Sequence, residues 1–265
     1  MAQQLVFAFG LTLFAGLATG IGSMMVFFTK KTNKKFLSLA LGFSAGVMVY
    51  LSFMEILPKA VDSLSGRYGI SAGSWLAVLF FFAGITVMLI IDRLIPSYEN
   101  PHEIYTVEDM KKCDKSLHRM GLFVALAIAI HNFPEGIATF TIALKDISLG
   151  IPMAIAIAIH NIPEGIAISV PYYCGTGNRK KAFFYSFMTG LTEPLGALLA
   201  YIVLMRFLNG LVFGIVFAAV AGIMIYVSLD ELLPSAQKYG EHHLSIYGLI
   251  IGMMVMALSL LLFIQ

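Results

Sequence analysis

IAIHNFPEGIA at residues 128–138 and IAIHNIPEGIA at residues 157–167 are one stretch written twice, with ten of eleven positions matching at an offset of 29. Each copy lies inside a long apolar run, where His, Asn and Glu are expensive to bury. On a helix, His131 and Glu135 stand at i and i+4 and Asn132 and Glu135 at i and i+3, so the three polar groups share one face. His160, Asn161 and Glu164 repeat the arrangement. Two such faces turned toward each other would form a cage of two imidazoles, two amides and two carboxylates, a fitting site for a divalent cation.

Outside these stretches the chain is just as greasy. Of its 265 residues, 59% are hydrophobic and 12% charged, and the mean hydropathy is +0.87. A water-soluble globule needs far more surface charge, so the expected fold is an all-α polytopic membrane protein with a single transmembrane domain over 1–265. Eight apolar segments, near 5–28, 36–58, 73–95, 119–144, 149–173, 182–207, 211–234 and 245–265, are each long enough to cross a bilayer. The first is read as a helix that stays, because no Lys or Arg precedes it. A net charge of +2 without a clustered basic face argues against nucleic acid as a partner. Cys113 and Cys174 are read as free thiols on the reducing side.

Thirteen of the seventeen Lys and Arg residues fall on the connections after spans one, three, five and seven. By the positive-inside rule those connections are cytoplasmic and both termini face outward, as in a bacterial inner-membrane protein. The one long polar connection, 96–118, is read as a solvated loop, with a weaker reading as a metal collector. The His242-His243 pair is treated likewise.

A second repeat relates AGVMVYLSFMEILPKA at 45–60 to AGIMIYVSLDELLPSA at 221–236, with nine of sixteen positions matching. In the expected topology, spans two and seven run in opposite directions, as do spans four and five, which is the mark of inverted repeats with a site near the bilayer midplane. Spans one to three then pair with six to eight, and Gly16, Leu17 and Gly22 align with Gly190, Leu191 and Gly196. At the position of Glu193, span one has Thr19, so span six alone adds a third carboxylate. His131, His160 and Glu193 each fall roughly 18 Å into their spans at ~1.5 Å per residue, about half a bilayer.

Two imidazoles and three carboxylates suit Zn²⁺, Fe²⁺, Mn²⁺ or Co²⁺, and three acids gathered at that depth without a Lys or Arg must take up protons or hold a cation. Bridging by Glu135 and Glu164 permits two adjacent positions, one with His131 and His160 and one with Asn132, Asn161 and Glu193. Pro134, Pro163 and Pro194 free the carbonyls of Ile130, Ile159 and Gly190, which either face the pathway as oxygen ligands or belong to simple kinks. Glu55 and Glu231, expected near the outer end of span two and the inner end of span seven, are candidate gate residues together with Asp230 and Met48. Two rival classes are a membrane di-metal enzyme and a metal-selective channel. Phosphate-cradling nucleotide motifs are absent from the sequence.

At HNFPEG and HNIPEG in consecutive helices the chain resembles the ZIP (Zrt- and Irt-like) family of metal transporters, in particular its bacterial ZupT-like branch, over essentially all eight spans. The resemblance implies uptake of divalent metal, zinc foremost and also iron, manganese, cobalt or cadmium, into the cytoplasm through a binuclear centre. By motif, it places His131, Glu135, His160 and Glu164 at one metal and Asn132, Glu135, Asn161, Glu164 and Glu193 at the other. It further implies a mobile bundle of spans one, four, five and six sliding on a scaffold of two, three, seven and eight, and no enzymatic role. The 96–118 loop lacks the His-rich tract of many relatives. Expected partners are divalent ions and the lipid bilayer, and a homodimer is the assembly left open.

Overall fold

The computed structural model describes residues 2–28, 34–94, 116–204, 210–239 and 242–262, which form helices and no strand. They make eight helices in chain order. α1 is Ala2–Phe28; α2 joins Lys34–Leu51, a π-turn at Ser52–Ile56 and Leu57–Tyr68; α3 is Ile70–Leu94; α4 is Ser116–Lys145; α5 is Ile147–Thr176. α6 joins Arg179–Gly190, Thr192–Leu199 and a π-turn at Ala200–Leu204; α7 joins Gly210–Val227, a π-turn at Ser228–Leu232 and Leu233–Tyr239; α8 is His242–Leu262. Six of these, all but α4 and α6, are long and apolar enough to cross a membrane. The two others both carry polar residues of the motif region, and α6 is interrupted at Leu191. The chain is a multi-pass membrane protein.

Short connections set the order of neighbours. Gly69, with φ +83°, turns α2 into α3 where a side chain would be strained. α4 passes into α5 through Asp146 alone, whose carboxylate accepts from the Ser148 backbone N–H at 2.9 Å and caps the new helix. Gly177 closes α5 in the left-handed region and its N–H returns to the Tyr173 carbonyl at 2.7 Å. Asn178 then caps α6 by accepting from Lys181 N–H.

Where helices touch through glycine, backbone lies on backbone, and these contacts sort the helices into two groups. In the first, a methyl on Gly16 would run into the Gly190 carbonyl of α6, one on Gly22 into the Ile162 carbonyl of α5, and one on Gly196 into the Phe133 carbonyl of α4. The second joins Gly46 of α2 to Leu249 of α8, Gly222 of α7 to Phe81 of α3, and Gly214 of α7 to the Ala60 carbonyl and the Leu64 side chain of α2. Among the described residues, no glycine abuts backbone of the other group. Close approach of this kind is how membrane helices gain dispersion and weak Cα–H···O contacts without a hydrophobic driving force.

The contacts also recur in matched pairs under the sequence repeats. Gly22 on Ile162 is answered by Gly196 on Phe133, Gly165 on Thr19 by Gly136 on Glu193, and Gly252 on Phe43 by Gly84 on Ala219. Backbone irregularity follows the same rule, since the π-turns at Ser52–Ile56 and Ser228–Leu232 occupy equivalent places in the 45–60 and 221–236 copies. Both copies supply the cause. Ser52 Oγ donates to the Met48 carbonyl and Ser228 Oγ to the Met224 carbonyl, each at 2.7 Å, while Pro58 and Pro234 lack an N–H for the turn that follows.

Three expectations change. α2 runs past residue 58 to Tyr68, because Ala60 and Leu64 are fully buried and Leu64 seats against Gly214. Glu55 and Glu231 therefore lie within continuous helices rather than at helix ends. The Gly190 carbonyl freed by Pro194 lies against Gly16 of α1, not in a pathway. Residues 96–115, Cys113 among them, lie outside the described residues, as do the side chains of His118, Cys174 and His242; His243 stacks on Tyr247.

Candidate metal centre

The first group of helices encloses a polar interior. His131, Asn132, Glu135, His160, Asn161, Glu164 and Glu193 are each 0–1% exposed. Helical spacing puts the α4 set on one face and the α5 set on another, and the single-residue link brings those faces together. On α6 the helix stops at Leu191 and restarts at Thr192, which places Glu193 in the first turn of a new segment, where unpaired N–H groups favour a carboxylate.

The side chains meet as hydrogen-bonded pairs. His160 Nε2 is 2.9 Å from Glu135 Oε1 and its Nδ1 is 3.2 Å from Glu164 Oε1. His131 Nε2 stands 3.4 Å from the same Glu164 oxygen, a looser contact. Asn161 donates through Nδ2 to Glu193 Oε1 and to the Ala15 carbonyl of α1, the latter at 2.9 Å. Asn132 Nδ2 reaches the Thr189 carbonyl of α6 at 3.5 Å, the counterpart of that contact under the repeat.

What these pairs leave over is more telling. Oε2 of Glu135, Glu164 and Glu193, Oδ1 of Asn132 and Asn161, and both ring nitrogens of His131 are buried without a hydrogen-bond partner. Buried polar atoms are almost always satisfied, and orphaned carboxylate oxygens are costly. Each of the five oxygen-bearing side chains thus spends one atom on a neighbour and keeps one oxygen for something else. Among the described residues, no three His, Cys, Asp or Glu side chains are gathered as ligands around one point, because the imidazoles are engaged with carboxylates. A divalent cation would replace those pairings.

The expected gate residues are distributed differently. Glu55 is tied to Lys59 one turn on. Asp230 and Asp92 of α3 both lie at the Tyr226 hydroxyl. Glu231 is close enough to His131 to interact with it electrostatically. Met48 is fully buried in an apolar cluster to which both groups of helices contribute.

Three features had no signal in the sequence. The backbone carbonyls of Ala15 and Thr189 receive the two amides. Thr19, the stand-in for Glu193 in α1, is buried with its hydroxyl unpartnered. Ser44 of α2 reaches in from the other group, its Oγ 3.2 Å from His160 Nδ1 and 3.5 Å from Glu164 Oε1. A lone serine in an apolar run carries no period to flag it.

Set beside known proteins, the chain matches the family model described as ZIP Zinc transporter over residues 3–118 and 100–260. It is 60% identical over 264 residues, covering 100% of both chains, to the zinc transporter ZupT of Streptococcus mutans. It is 61% identical over 265 residues to the protein of the same name from Oceanobacillus iheyensis, covering 98% of this chain and 99% of that one. The Clostridium perfringens zinc transporter ZupT is 57% identical over 278 residues, with coverage of 99% and 98%.

Proposed function

The chain belongs to the ZIP zinc transporter family, and from that premise we propose that it carries divalent cations across the membrane, zinc first and iron, manganese, cobalt and cadmium as further cargo. The cation enters the polar interior of α1, α4, α5 and α6. There it takes two adjacent positions. One is held by His131, His160, Glu135 and Glu164, which is the harder-to-satisfy nitrogen-and-oxygen set that suits zinc. The other is held by Asn132, Asn161 and Glu193 with the same two bridging carboxylates, and its neutral amide oxygens bind weakly enough to let cargo go.

The observation that carries this reading is the set of orphaned oxygens on five buried side chains from three helices, which a cation satisfies at once. The excess of Lys and Arg on the connections after spans one, three, five and seven puts both termini outside in a bacterial plasma membrane, and membership of the family favours transport inward. Glu231 beside His131 marks the cytoplasmic approach.

The test is flux. Purified protein in liposomes loaded with a zinc indicator is challenged with zinc alone, with competing Fe²⁺, Mn²⁺, Co²⁺ and Cd²⁺, and under a pH gradient. Saturable zinc entry that the competitors reduce is expected. Zinc entry no faster than in protein-free liposomes overturns the proposal.

A further inference from the structure

We propose that Ser44 is a positioning residue that decides which nitrogen of His160 faces the metal, and that it does so from a helix supplying no ligand. The inference rests on the metal centre described above and adds a conformational condition to it. Ser44 is fully buried on α2, and its Oγ lies 3.2 Å from His160 Nδ1, 3.5 Å from Glu164 Oε1 and 3.4 Å from the His160 carbonyl. A hydroxyl can accept from the ring and donate to the carboxylate or carbonyl at the same time.

The protonation pattern follows from the neighbours. Each ring nitrogen of His160 faces a carboxylate oxygen, Nδ1 that of Glu164 at 3.2 Å and Nε2 that of Glu135 at 2.9 Å, and of the two only Nδ1 has a hydroxyl, that of Ser44, as a second acceptor. A metal that drew both carboxylates away would leave Nδ1–H its Ser44 partner and Nε2, on the side of Glu135, with none, so Nε2 is the nitrogen that would face the metal. Once Glu164 is drawn onto a bridging metal, its oxygen is no longer free to hold Nδ1–H, and the Ser44 oxygen becomes the remaining acceptor. Metal-bound imidazoles characteristically donate their second N–H to such a partner, which fixes ring orientation and raises ligand basicity.

The other imidazole lacks this support. Under the repeats, His160 corresponds to His131 and Ser44 to Val220, and Nδ1 of His131 has no partner. Two histidines alike in sequence are therefore unlike in surroundings: His160 has a hydroxyl beside Nδ1, and His131 has none. Because Ser44 belongs to the second group of helices, His160 keeps its support only while α5 is seated on α2.

The experiment uses full-length protein in nanodiscs with ¹⁵N-labelled histidine, loaded with ¹¹³Cd²⁺, alongside zinc titrations by calorimetry. In the unaltered protein, ¹¹³Cd coupling is expected at Nε2 of His160. Ser44→Ala should spread the coupling over both ring nitrogens or abolish it and weaken zinc binding about tenfold, the lower end for loss of an outer partner of a metal-bound histidine. Ser44→Thr, which restores a hydroxyl, should recover both signals. Unchanged coupling and affinity in Ser44→Ala overturn the role of Ser44 alone. An unaltered protein that binds neither metal overturns the metal centre, and this inference with it.

Discussion

The two groups of helices are assembled by the same means and filled with opposite materials. In both, glycine brings backbone against backbone, at Gly22 on Ile162 in one and Gly46 on Leu249 in the other. Yet α1, α4, α5 and α6 enclose seven buried His, Asn and Glu side chains, whereas α2, α3, α7 and α8 bury Leu51, Ile56, Leu64, Phe81, Phe217 and Met224 and, among the described residues, no polar side chain larger than serine. The difference teaches that, among the described residues, fully buried imidazoles, amides and carboxylates are confined to one side of a seam which side chains, not glycine backbone, fill. A seam without glycine contacts is the less committed one, since side-chain packing is remade more easily than interlocked backbone.

The largest expected effect tests the polar side. Glu135→Ala or Glu164→Ala should reduce zinc accumulation in cells to background while membrane insertion, followed by immunoblot, is retained; normal uptake in both variants breaks the contrast between the groups. Next come the glycines, where Gly22→Ala and Gly46→Ala should each destabilise the detergent-solubilised protein by about 1–3 kcal/mol through overpacking against a carbonyl, read as a lower midpoint of thermal unfolding. Only Gly22→Ala should also weaken zinc binding, and an equal loss in Gly46→Ala would show that the groups are not separate units.

Glu193→Ala sharpens the picture within the polar side. Its loss should change the ratio of zinc to iron uptake about tenfold, the scale on which a single partner tunes a metal site. Equal losses for the two metals argue against a distinct second position. The smallest effect is at the link between the motif helices. Asp146→Ala should cost about 1 kcal/mol as a lost helix cap. The Ser148 hydroxyl, helped by the Ser148 and Leu149 backbone N–H groups and opposed by burial, holds the Asp146 carboxyl below its ordinary range. Its contribution is thus present above about pH 4 and fades as pH falls through the lowered folded value, weakly because the group is exposed. Acid titration of stability in the variant should lack that component.

The tandem motif made the interior readable before any coordinates, because His, Asn and Glu at i, i+1 and i+4 in an apolar run leave few choices. Glu193 was legible through a broken symmetry with Thr19. The length of α2 was not, since residues 59–68 look like a polar connection and only the burial of Ala60 and Leu64 against α7 makes them helix. The π-turns were coded by Ser52 with Pro58 and Ser228 with Pro234, but a local excess turn has no periodic signature. Ser44 was beyond reach for a different reason: its meaning lies wholly in what another helix places beside it.

Asp146 is the whole of the tether between α4 and α5. One residue spans at most about 3.6 Å, so the helices bearing the two copies of the motif have no slack at that end. Whatever excursion the carrier makes, both must depart and arrive as one rigid clasp.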